Sequence, residues 1–162
     1  MKTISSEIVE KTWRKIGKMS VLEIPKMAYR MREEQPVILA YLLTAGTDIL
    51  NQDERELLLY LGMVVWQMMS QGSRPLVKIT EDVVDEMERS NMKVVEYLKN
   101  EPETGFIKVT KEMIENYPQP EVLKYIVEAL MEEQEEGCVI RNENKGMMML
   151  YLKTVIDCFD RE

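Results

Sequence analysis

Two stretches decide how this chain reads: QPVILAYLLTA at residues 35–45 and QPEVLKYIVEA at residues 119–129. Gln, Pro, Leu, Tyr and Ala stand in the same places in both, and branched aliphatic residues exchange at several others. Proline fits the first turn of a helix, where its missing N–H costs no hydrogen bond, and the apolar residues that follow step by three and four. Each stretch therefore reads as a Pro-initiated helix.

The likeness extends outward. LLLYLGMVV at 57–65 faces MMLYLKTVI at 148–156, sharing Leu, Tyr, Leu and Val in register, and VLEIPK at 21–26 parallels FIKVTK at 106–111. Three segments recurring in one order suggest two tandem copies of a helix-plus-hairpin unit, about 1–72 and 76–160. The competing reading is one irregular bundle with chance echoes. Either way the expectation is an all-α bundle of about seven helices forming a single compact domain over 1–162.

Other signals agree. Val9, Trp13 and Ile16 set an amphipathic helix over about 5–18, and Pro25 fits the first turn of the next. Asp53 with Glu56 reads as a capping box for a helix running to about Ser70, with Gly46 and Gly62 allowing close helix–helix approach. QGSRP at 71–75 is the clearest loop. LVKIT at 76–80 and FIKVT at 106–110 read as extended leaders whose apolar residues staple the following helix, rather than as paired strands. Residues 81–99 form a helix whose apolar stripe includes Asn91, expected to be partly exposed. A further helix runs from Pro120 to about Glu136 with Gly137 as its cap, CVIRNENKG forms a loop, and a last helix carries Met148, Leu152, Val155 and Phe159.

Composition removes several classes of function. The 162 residues include 21 basic and 29 acidic side chains, a net charge of −8, and no histidine. Ser-His-Asp hydrolysis, Cys-His proteolysis and His-bearing zinc or di-iron sites cannot be built from this chain alone. Two cysteines, Cys138 and Cys158, stand in no metal-binding spacing and read as thiols in a reducing cytoplasm. The acidic balance disfavours nucleic acid and anionic membrane surfaces. The longest uncharged run, 57–73, is too short and too polar to span a bilayer, so no membrane insertion is expected. The N-terminus carries no signal-peptide pattern.

The best functional reading is a non-enzymatic protein–protein interaction module, an adaptor or regulatory or assembly protein, without a cofactor. Its partner would be another protein, basic or helical, or a second copy in a homo-oligomer. Candidate contact residues are Trp13 and Trp66 with the methionine clusters Met68, Met69, Met147, Met148 and Met149. Methionine suits adaptable helix-binding grooves, although it also fills helical cores.

An alternative is an all-α nucleotide hydrolase dependent on a divalent metal. Glu81, Asp82 and Asp85 on one helix, and Glu132, Glu133 and Glu136 near the end of another, have spacings that could face a shared cleft. Acidic runs opposite an apolar stripe are ordinarily solvated, and no phosphate-binding glycine loop accompanies them. A winged-helix DNA reader, with NENKG as its wing, ranks third because its recognition helix would carry Glu121, Glu128, Glu132 and Glu133.

Overall fold

Pro36 and Pro120 do open helices, and the residue before each is a buried glutamine in the same backbone conformation: φ −138°, ψ 63° at Gln35 and φ −122°, ψ 64° at Gln119. The computed structural model describes residues 1–98, 103–132, 134 and 136–161, and holds eight helices and no strand among them. They are α1 (Ser6–Gly17), α2 (Glu23–Glu34), α3 (Pro36–Thr44), α4 (Gln52–Met69), α5 (Glu81–Leu98), α6 (Glu103–Glu115), α7 (Pro120–Met131) and α8 (Asn142–Asp160).

The two most apolar long helices, α4 and α8, pack on each other at the centre. Leu58, Val64, Val65, Met68, Leu152, Val155 and Ile156 are completely buried there, and truncating such a residue to Ala costs about 2–5 kcal/mol. The other helices pack around this pair in matching ways. α1 and α3 lie on α4, α5 and α7 lie on α8, and α2 and α6 lie on α3 and α7. α1 also packs on α7, and α5 on α3.

Both α1 and α5 are preceded by extended backbone, residues 1–5 and 75–80, and each leader is held by a glutamine distant in sequence. Gln35 Nε2 donates to the Val77 carbonyl at 2.8 Å and its Oε1 accepts from the Ile79 N–H at 3.0 Å. Gln119 Nε2 donates to the Lys2 carbonyl at 3.1 Å and its Oε1 accepts from the Ile4 N–H at 2.8 Å. Ile4 and Ile79 are buried in the core, and Ser5 and Thr80 then cap α1 and α5 by accepting from Ile8 and Val83. LVKIT is thus an extended leader, as expected from sequence.

FIKVT is not: it lies inside α6, where Lys108, Val109 and Thr110 continue the helix. The residues that continue NENKG into α8 differ as well. Residues 142–146 form the first turns of that helix, so they make neither loop nor wing. α7 ends at Met131, and Gly137, with φ +91°, turns the following loop instead of capping the helix. The cap of α4 is the true capping box, Asn51 with Glu54, two residues earlier than the one inferred. The helix expected over 81–99 is seen to Leu98, with residue 99 outside the described residues.

Of the two interior glycines, Gly62 sits at a close approach. A Cβ there would meet Leu42 Cδ1 at 2.4 Å, so the absence of a side chain is what lets α3 lie against α4. Gly46 has φ +67° and serves the turn between α3 and α4.

Candidate functional site

Three helices leave a groove of about 750 Å³ on the surface. α1 contributes Trp13 and Gly17, α4 contributes Leu57, Tyr60 and Leu61, and α7 contributes Tyr125, Glu128, Ala129 and Met131, with Glu132 and Gln134 at the end. Trp13 and Gly17 are four apart on α1, and Tyr125, Ala129 and Glu132 step by four and three on and after α7, so each helix turns one stripe toward the gap. Leu61 is buried at the base, Leu57, Tyr60, Tyr125 and Ala129 are half-buried, and Trp13 and Met131 are 37% and 57% exposed.

The electrostatics are those of an apolar cleft with an acidic edge. Burial raises the Tyr60 phenol above its ordinary range. Burial raises Tyr125 too, helped by the neighbouring Tyr60 and Glu132. Both phenols are therefore neutral at physiological pH and carry hydroxyls able to donate or accept. Glu128 and Glu132 are exposed beside them. At the opposite wall the Arg14 guanidinium lies 4.9 Å from the Trp13 ring centroid and is held by Glu10 at 2.8 Å, a cation–π contact that stiffens the indole.

A second tyrosine pair sits where α3 and α8 meet, with Tyr41 half-buried. Tyr41 and Tyr151 pack edge to face with centroids 6.3 Å apart, and Tyr151 is buried. Burial, with the Glu88 carboxylate nearby, holds both phenols protonated. In the sequence register, Tyr41 and Tyr151 stand where Tyr125 and Tyr60 stand in the other stretch.

The structure redistributes the residues singled out from sequence. Trp13 lines the groove. Trp66, Met68, Met69, Met148 and Met149 do not form a surface: all are core residues with at most 2% exposure, because α4 and α8 are central and bury nearly their whole circumference. Met147 is half-buried against the same core. Glu81, Asp82 and Asp85 are exposed on the outer turns of α5, Glu132 is at the groove edge and Glu136 is exposed in the loop beyond. Glu133 lies outside the described residues. Among those residues no group of three or more acidic or thiol side chains is placed to hold a metal ion.

Two polar clusters were not foreseen. Glu54, fully buried, accepts from the Asn51 N–H, the Arg141 N–H and guanidinium and Asn144 Nδ2, at 2.7–3.0 Å for the shorter contacts. Burial alone would raise its pKa, but these donors outweigh it and hold the carboxyl at about 2. Asn91, expected to be partly exposed, is buried. It donates to Thr154 and Asp157 at 2.9 Å and accepts from Lys153 at 2.7 Å, while Tyr117 donates to the other oxygen of Asp157. Lys153 also pairs with Asp157 at 2.9 Å. Every polar atom named in these two clusters has a partner, so they read as structural ties of α8 to its neighbours. The Cys158 thiol is buried too and is pushed up to about 12, chiefly by burial and by Asp157.

No family model, curated protein or solved structure matches the chain.

Proposed function

We propose that this chain is an internally duplicated helical scaffold that acts through protein–protein contacts, as an adaptor, regulatory or assembly module, by seating a cationic amphipathic helix in the groove between α1, α4 and α7. The observation that carries the reading is the open, largely apolar groove between these three helices. Tyr60 and Tyr125 border it together with Trp13 and Met131, over the buried Leu61.

A cleft of this kind suits the apolar face of a helix, which docks through side chains three and four apart. Aromatic and methionine side chains supply contact area at low ordering cost or with adaptability. Glu128 and Glu132 would meet lysine or arginine at the edge of such a helix. The duplication is supported by the reciprocal glutamine clamps and by the matched packing of α1, α3, α5 and α7 around α4 and α8. A cytoplasmic, non-enzymatic role is part of the same reading.

Gly17 supplies the test. A Cβ placed there meets nothing within 4 Å, so a large side chain can fill the groove without straining the fold. Titration calorimetry with lysine-rich amphipathic helical peptides should show saturable binding to the native protein and at least tenfold weaker binding to Gly17→Phe at an unchanged thermal midpoint. Equal affinity for the two proteins would reject the groove.

A further inference from the structure

The turn joining α1 to α2 combines two features that the acidic average of the chain conceals. Val21 and Leu22 are 88% and 77% exposed, the most exposed of the large hydrophobic side chains among the described residues. The chain on either side of them is rich in cations: Lys15, Lys18, Lys26 and Arg30 line one depression of about 420 Å³ with Met19 and Met27. Glu23 is the single acid there, and its carboxylate accepts from the Ser20 N–H at 3.2 Å across the turn. From Lys11 to Arg32 the chain places seven of its 21 basic residues and one of its 29 acidic ones.

We infer that this turn docks the protein on an anionic lipid surface, with Val21 and Leu22 entering the headgroup layer and Lys15, Lys18, Lys26 and Arg30 facing the lipid phosphates. No helix among the described residues is long and apolar enough to cross a membrane, so the contact is peripheral. Each half of the signal is weak alone. Exposed aliphatic side chains gain by leaving water, and basic residues near an anionic leaflet contribute about 1 kcal/mol each, which is about a fivefold change in partitioning per cation.

The net charge of −8 does not oppose this. At physiological ionic strength a charge is felt over about 8 Å, so the balance around the turn decides what the turn meets. The exposed aliphatic pair favours a bilayer over a nucleic acid, because a phosphate backbone offers it no apolar medium. The site is separate from the groove: Trp13 and Gly17 face one side of α1, while Lys15 and Lys18 face another.

The test is flotation of the full chain with vesicles of phosphatidylcholine alone and of phosphatidylcholine mixed with phosphatidylglycerol, beside a gel-shift titration with duplex DNA. The native protein should float with the anionic vesicles only. Lys18→Gln with Lys26→Gln should weaken partitioning about 25-fold, from about fivefold per cation. Val21→Ser with Leu22→Ser should abolish it with no fall in thermal midpoint, since both side chains are exposed. Absence of flotation with anionic vesicles, or flotation that survives the Val21 and Leu22 changes, would overturn the inference. DNA binding lost on removal of Lys18 and Lys26, without vesicle binding, would overturn it in favour of nucleic acid.

Discussion

Gln35 and Gln119 make the same pair of hydrogen bonds to extended segments 42 to 44 and 115 to 117 residues away in sequence. Each amide nitrogen donates to the carbonyl two residues before an isoleucine, and each amide oxygen accepts from that isoleucine's N–H. The side chain thereby stands in for one rung of a strand pair, satisfying a leader that has no ladder. The exchange is reciprocal: Gln35 holds the segment before α5, and Gln119 holds the segment before α1.

Replacing Gln119 by Ala should therefore cost about 1–3 kcal/mol, because the Ile4 N–H is left buried without a partner. Gln119→Glu should be no better at neutral pH. Its carboxylate could still accept from Ile4 but would face the Lys2 carbonyl and the Asp160 carboxylate, which now accept from the amide. Urea unfolding midpoints of the two variants measure both effects.

Acid should unfold the protein in part through Glu54. Its folded pKa of about 2 lies below the ordinary 4.5, so the group contributes stability that is complete above about pH 4.5 and is lost as the pH falls toward 2. The difference corresponds to about 3 kcal/mol. Glu54→Gln should be destabilised at pH 7 and should show a flatter loss of stability between pH 5 and 3, read from urea midpoints at each pH.

Asn91→Leu should destabilise despite its position on an apolar stripe. The change removes the acceptor of Lys153 and a donor to Asp157, and leaves Thr154 Oγ1 without the amide. An effect of about 1–3 kcal/mol is expected. Ile16 of α1 shows what an apolar residue does in a comparable stripe: it is buried with no such polar neighbours to serve.

Gly62→Ala should be destabilising, since the new methyl would overlap Leu42, which is itself buried in the core. Leu42→Ala alone should cost about 2–5 kcal/mol. The two changes together should cost less than their sum, because the truncated Leu42 makes room for the methyl. Thermal or urea unfolding of the four proteins in the cycle provides the test.

Much of this architecture was legible from the residues. The Gln-Pro pairs and the apolar runs of α4 and α8 announce themselves through local rules of helix geometry. What could not be read was long-range partnership. Glu54 looks like any first-turn acid until Arg141 and Asn144, about 90 residues away, are folded onto it. FIKVT has the β-branched pattern of an extended leader, and the helical context of α6 overrides it. The candidate contact residues divide for a similar reason. Tryptophan and methionine suit contact surfaces and cores alike, so residue type did not separate them: Trp66 and the paired methionines are core while Trp13, on an outer helix, lines the groove.

What fills that groove can be read by affinity capture from the source cell with the native protein and Gly17→Phe in parallel. A protein bearing a cationic amphipathic helix, retained by the native chain and lost by the plugged one, is the expected result. Identical sets of captured proteins from the two baits would show that the groove is not where partners dock.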